Sequence, residues 1–265
     1  MIKLEVSVNI DIGKTIRISD IIDAKDGRSL LLDTTIASTL GATAGIENLH
    51  DVLKQVNEHC DGIIVNPGQA EHQAELLGGK RRAAPIIRVD WTNAYRTEDF
   101  ALPVSNVKRL MISSGEDALN LGASAVLASL LLGFDDDFES KNIRELSLLA
   151  RECQRLFLPL IVDIRPIGER VAENNFEDSI KLGASFMLEL GADALIIPKC
   201  QPITYQFIAE WMKVPVLIHL EDFPVEKDAE KIFSAGMAGI VLSESIFRKE
   251  CFSEKLEALH TKIHE

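Results

Sequence analysis

Residues 188–199 read Leu-Glu-Leu-Gly-Ala-Asp-Ala-Leu-Ile-Ile-Pro-Lys. A glycine closes a helical stripe, a short unbroken apolar run follows, and a charged residue stands directly after it. Glycine ends helices because, lacking a Cβ, it enters the left-handed conformation without strain. An apolar run without alternation is a strand covered on both faces, as in a parallel sheet flanked by helices. The same αβ junction recurs as Leu-Gly-Ala-Ser-Ala-Val at 121–126 and Ala-Gly-Met-Ala-Gly-Ile at 235–240.

Working outward, eight such runs end at or near Asp33, Asn66, Asp90, Ser129, Ile164, Pro198, Leu220 and Glu244. Helical stripes lie between them. Ile46, Leu49, Val52, Leu53 and Val56 make one; Ile143, Leu146, Leu149, Ala150, Cys153 and Leu156 another; Val225, Ala229, Ile232 and Phe233 a third. Ser113 with Glu116 reads as a capping box before the fourth strand. Eight βα units in about 250 residues is the arithmetic of an α/β fold closed as a (β/α)8 TIM barrel. An open doubly wound sheet is the alternative, but it usually has fewer strands and often a GxGxxG turn, which is missing.

The 265-residue chain is 46% hydrophobic and 26% charged, so it carries ample core for one globular domain, 1–265. The reading divides it into an N-terminal extension (1–28), a barrel core (29–247) and a C-terminal helix (248–265). In the extension, Ile2 to Ile12 alternate with polar residues as a strand would, ending at a Gly13-Lys14 turn. Ile18 to Ile22 read as a short helix under the barrel floor. A net charge of -13, from 41 acidic and 28 basic residues, disfavours nucleic acid and anionic membranes. Four scattered cysteines without a CxxC pair, and no signal peptide or membrane span, predict a cytoplasmic protein.

Working groups of such barrels sit where the strands end and the βα loops converge. Those positions hold Asp33, Asn66, Asp90, Asp163 with Arg165, Lys199, His219 with Glu221, and Glu244. A single carboxylate there caps a helix or faces water as readily as it does chemistry. Several around one mouth repel one another unless a cation, a base or a raised pKa compensates.

In this order the segments resemble the class I aldolases of the deoxyribose-phosphate and archaeal-type fructose-bisphosphate group. The match runs from about Gly13 to Phe247 and is strongest at Asn106–Gly133 and at Gly191-Ala192-Asp193. The resemblance implies a TIM barrel, a homo-oligomer, and cleavage or formation of carbon–carbon bonds in small phosphorylated sugars. In that family the first strand ends in Asp-His-Gly; here Asp33 is kept and Thr34 and Thr35 follow. The fifth usually ends in Tyr-Pro-Arg-Gly, with the Tyr moving a proton; Arg165-Pro166-Ile167-Gly168 puts Arg165 at its place. The Schiff-base Lys stands five residues after the Gly of Gly-Ala-Asp, a position occupied here by Ile196. An isoleucine cannot form an imine. Lys199 is three residues further, an odd step that reverses the strand face. Leu220-Glu221 and Ser243-Glu244-Ser245 replace the glycine-rich phosphate loops, and their carboxylates repel phosphate.

The expected function is therefore an aldolase-like lyase with a remodelled site for a small carbonyl substrate, not phosphorylated in the usual way. Asp33, Asp163, Arg165 and Lys199 are its catalytic candidates. Asn66, Asp90, His219, Glu221 and Glu244 are its substrate-binding ones. No cofactor is expected. A variant hangs a divalent metal on some of these carboxylates and His219, although no HxH or HExxH spacing supports it. The contrasting reading is a non-catalytic barrel that binds a ligand or serves in an assembly. His50, His59 and His260 read as surface residues, and His72 as part of an exposed helix face. The loop carrying Trp91, Asn93, Tyr95 and Arg96 reads as a lid or an oligomer contact, and Asp135-Asp136-Asp137 as a solvated acidic loop.

Overall fold

The computed structural model describes residues 11–41, 45, 47–80 and 82–265. Its ten strands are β1 (Ser29–Asp33), β2 (Gly62–Val65), β3 (Ala84–Arg88), β4 (Asp90–Thr92), β5 (Arg109–Met111), β6 (Ala125–Leu132), β7 (Leu160–Pro166), β8 (Ala194–Pro198), β9 (Val216–Leu220) and β10 (Gly239–Leu242). Eight are parallel and close a barrel in the order β1-β10-β9-β8-β7-β6-β3-β2. β4 and β5 form a separate antiparallel pair within the segment between β3 and β6. The expected barrel is the one observed. Gly122, Gly191 and Gly236, which mark its repeated junctions in the sequence, all have positive φ.

Strand side chains alternate in direction, so each strand serves two cores. Leu30, Leu32, Ile63, Val65, Ile87, Val162, Leu195 and Ile218 pack outward against the helices. Leu31, Ile64, Ile86, Leu127, Ile161, Ile196, Leu217 and Val241 fill the barrel interior, with Ile18, Ile21 and Ile22 joining them. One step of two residues from these interior positions leads to Asp33, Asn66, Arg88, Ser129, Asp163, Pro198, His219 and Ser243, all but Asn66 and Pro198 lining the mouth. The apolar plug below thus presents polar groups above it.

Several local expectations shift. Residues 1–10, most of the expected alternating strand, lie outside the described residues. Gly13 and Lys14 do not turn but belong to helix Ile12–Ser19. The side chain this helix buries is Lys14, whose Nζ lies 2.8 Å from Asp193 and 3.0 Å from Gln154. Ile12 and Ile16, which a hydrophobic pattern would bury, are exposed. The capping box falls one residue later than read: Ser114 Oγ accepts the Asp117 N–H and Asp117 accepts the Ser114 N–H. Ser113 is still tied to the barrel, its N–H donating to the Val89 carbonyl. β3 stops at Arg88, so Asp90 opens β4, and β10 stops at Leu242, so Glu244 opens a short 3-10 helix, Glu244–Arg248.

Asp193 and Asp61 do matching work on the floor. Each precedes a strand and accepts the N–H of a neighbouring strand's early residue, Leu160 at 2.8 Å and Leu30 at 2.6 Å. The acid of Gly-Ala-Asp is thereby part of the framework, far from the mouth.

Candidate active site

A cavity of about 270 Å³ opens at the C-terminal ends of the strands. Asp33, Asp90, Asp163, Arg165, His219, Glu221 and Glu244 line it, together with Arg88, Tyr95, Ser129 and Ser243. Two expected residues are not brought there. Asn66 sits behind the first loop, its amide donating to the Thr35 carbonyl at 3.1 Å. Lys199 is 63% exposed, with its Nζ on Asp228 at 3.1 Å. It lines an adjoining outer cavity that shares Arg165, His219 and Glu221 with the mouth. Among the described residues that line the central cavity, none is a lysine.

Arg88 is the hub. Its Nη2 donates to Asp33 Oδ2 at 2.9 Å and its Nη1 to Ser129 Oγ at 2.8 Å. The same guanidinium lies 3.5 Å from Asp163 and 3.6 Å from Asp90. Arg165 Nε lies 2.8 Å from Asp163 Oδ1, so Asp163 stands between two guanidiniums. Asp90 is held from behind by Arg109 Nε at 3.0 Å and by the Ser129 N–H at 2.7 Å. Arg109 also reaches Glu145 at 2.9 Å. Asp90 is therefore chiefly a clamp on the β4–β6 junction that turns one edge to the cavity.

The electrostatics follow from burial and these pairs. Burial alone would raise the Asp33 carboxyl; Arg88 and two hydrogen bonds from Thr35 outweigh it and hold it below the ordinary range. Burial also opposes charge on Arg88 and Arg165, but the adjoining carboxylates keep both protonated. His219 is pushed down to about 4, first by burial and then by Arg165. Its imidazole is neutral at pH 7 and lies 3.6 Å from Glu221. Glu244 is raised by burial and by the neighbouring Asp33 and Glu221 charges. Burial raises the Tyr95 phenol, which Arg165 partly offsets.

The segment between β3 and β6 walls one side. Trp91 Nε1 donates to the Ser38 carbonyl at 2.8 Å, Arg96 Nε to the Thr39 carbonyl at 2.9 Å, and Thr39 Oγ1 to the Thr92 carbonyl at 2.9 Å. Arg96 also stacks over Trp91 and Phe100. These bonds lash the segment to the loop after β1 and set Tyr95 over the network. On the opposite rim, Ser243 Oγ donates to Glu221 Oε2 at 3.0 Å. Asp135, in the acidic loop after β6, caps helix Asp136–Leu156 by accepting the Phe138 N–H, and Asp136 pairs with Arg170.

Sequence reading missed Arg88, and placed Tyr95 only in a loop read as a lid or an oligomer contact. Arg88 left a signal, a lone charge inside an apolar strand and two residues beyond an interior isoleucine. For Tyr95 the length of its loop was the signal, but a long connecting segment has no period to fix which side chain turns inward.

The model of the DeoC/LacD family aldolases matches residues 29–199. Over 96% of this chain and 92% of the relative, the sequence is 26% identical to 2-amino-3,7-dideoxy-D-threo-hept-6-ulosonate synthase 1 of Archaeoglobus fulgidus. It is 33% identical to the class 1 fructose-bisphosphate aldolase of Thermoproteus tenax over 51% of this chain and 54% of that one. The crystal structure of an archaeal fructose 1,6-bisphosphate aldolase superposes with a TM-score of 0.77 at 24% identity, covering 95% and 99% of the two chains. That likeness shows the shared barrel. No helix among the described residues is long and apolar enough to cross a membrane.

Proposed function

Because the chain belongs to the DeoC/LacD family of aldolases, we propose that its mouth makes or breaks a carbon–carbon bond beside the carbonyl of a small, unphosphorylated compound. The observation that carries this reading is the Asp33–Arg88–Asp163–Arg165 network, buried at the strand ends beside a neutral His219. In cleavage, a base takes the proton of a hydroxyl one carbon removed from the carbonyl carbon's neighbour. The carbon–carbon bond then breaks to give an aldehyde and an enolate, and the enolate carbon takes up a proton. The costly species is the enolate oxyanion. Fixed guanidiniums in a dry site stabilise such charge without reorganising. Arg165 fills that role in this reading, Asp163 orients it, and Arg88 with Asp33 keeps the carboxylates from repelling one another. Neutral His219 takes the hydroxyl proton, and Tyr95 faces the site as the group that returns a proton to carbon.

The rim supports an unphosphorylated substrate, because Glu221, Asp222 and Glu244 stand on the loops after β9 and β10. A resident metal has no part in the reading, since Arg88 and Arg165 already engage the inner carboxylates Asp33 and Asp163. Lys199 has no covalent part, because its ammonium is exposed and paired with Asp228.

The test is an aldehyde-release assay over a panel of unphosphorylated hydroxyketones and hydroxy keto acids, with Arg165→Gln and Asp163→Asn as comparisons. Turnover that collapses in both variants and survives chelator supports the proposal. No turnover and no ligand-induced thermal shift across the panel would leave a non-catalytic barrel. A borohydride-trapped adduct lost in Lys199→Ala would instead make Lys199 the nucleophile.

A further inference from the structure

His260, expected on the surface, is instead half-buried at the opposite end of the barrel from the mouth. It lies on helix Phe252–His264 one turn before His264, so the two imidazoles share a face. Both turn their Nε2 atoms to one carboxylate: His260 lies 3.3 Å from Asp61 Oδ1 and His264 3.2 Å from Asp61 Oδ2. One ligand atom from each of the three side chains falls within 4.8 Å of the others. Asp61 is anchored by the Leu30 N–H, as described above. His264 is oriented by its other nitrogen, with Nδ1 2.8 Å from Asp26. Asp26 is itself fixed by the Arg28 N–H at 2.7 Å.

The two ring centres stand 4.7 Å apart, so both Nε2 atoms and the Asp61 carboxylate converge on one small space. Two imidazole nitrogens and a carboxylate oxygen converging in this way can each point a lone pair at one divalent cation. A tetrahedral ion with arms of about 2.0 Å sets its ligands roughly 3.3 Å apart, close to the Nε2–oxygen separations here. A carboxylate on the far nitrogen of a ligating histidine is the usual outer support of such a site. Arg28, the nearby cation, is turned away to the Ile263 carbonyl at 2.5 Å.

We propose that Asp61, His260 and His264 bind one zinc-type divalent transition metal, which staples the C-terminal helix to the barrel floor. Two nitrogens and one oxygen suit Zn²⁺, with water as the fourth ligand. The position is remote from the mouth, so the ion's role is structural: it ties helix Phe252–His264 to the start of β2.

The test uses the full untagged chain, stripped with chelator and titrated with ZnCl2 by calorimetry, with the thermal midpoint followed in parallel. The expected result is about one Zn²⁺ per chain and a raised midpoint, with binding weakened about tenfold or more in His260→Ala and in His264→Ala. His260→Cys, which restores a ligand, recovers binding, and Co²⁺ gives the intense visible bands of a tetrahedral centre. Absence of binding to the wild-type chain up to about 100 μM Zn²⁺ overturns the proposal. So does binding of equal strength in both alanine variants, whose folding is checked by circular dichroism.

Discussion

Arg88 and Asp33, 55 residues apart in sequence, meet across the barrel mouth at 2.9 Å, and each is almost wholly buried. The pair joins β3 to β1, which are not adjacent strands, so the bond spans the interior. It also fixes the electrostatics of the network, because Arg88 is the one cation among the described residues that reaches Asp33, Asp90 and Asp163 alike.

Removing that cation leaves Asp33 buried without its counter-ion, while Asp90 and Asp163 keep Arg109 and Arg165. Arg88→Ala is expected to lower the unfolding free energy by about 3–5 kcal/mol near neutral pH. The loss narrows in acid, where the stranded Asp33 carboxylate takes up a proton. Urea unfolding at about pH 7 and pH 5 checks both statements. A loss under about 1 kcal/mol would mean that the network is solvated.

Ile196 faces the barrel interior and pairs in register with Asp163 on β7. Ile196→Lys therefore places an amine where the family resemblance expects one, in apolar surroundings that favour the neutral form against the pull of the Asp163 carboxylate toward the ammonium. The variant is expected to trap a small aldehyde or ketone as a borohydride-stable adduct visible by mass, at a cost of roughly 1–3 kcal/mol from overpacking. A folded variant that gives no adduct would show that position 196 does not open to the mouth.

The depressed imidazole of His219 makes a pH prediction. Between its ordinary value of 6.5 and about 4, the unfolded chain binds a proton that the folded chain refuses. Stability therefore falls as pH drops through that window, by on the order of 3 kcal/mol in full. His219→Gln is expected to flatten this dependence. Denaturation midpoints at about pH 7.5 and pH 5 make the comparison; equal slopes in the two proteins would place the imidazole in water.

Gly168 follows β7 where its loop crosses Gly133 after β6. A Cβ at Gly168 would stand 2.1 Å from the Gly133 carbonyl carbon and 2.4 Å from the Phe134 nitrogen. Both neighbours are backbone, so neither can swing aside. Gly168→Ala is expected to lower the thermal midpoint by several degrees and to impair any activity, since the displaced loop leads directly from Arg165. A midpoint within a degree or so of wild type would mean that the two loops are free to separate.

Much of this architecture is written along the chain. Unbroken runs such as Leu195–Ile197 mark strands covered on both faces, and the glycines at 122, 191 and 236 mark where helices stop. The runs also carry parity: once Leu217 is interior, His219 follows it to the mouth. Where the strand period lapses, the reading slipped, by one residue at Ser114 and by a change of element at Gly13.

The sequence by itself determined the barrel, because hydrophobic period and helix-ending glycines are local properties that eight repeats reinforce. It also supplied most of the polar groups at the mouth. Tertiary structure alone decided how they are used. Arg88 became the centre of the site because three distant carboxylates converge on it, and Lys199 left the site because Asp228 lies within its reach on the outer side. Pairings of this kind depend on distances between strands and loops far apart in the chain, and no periodicity encodes them.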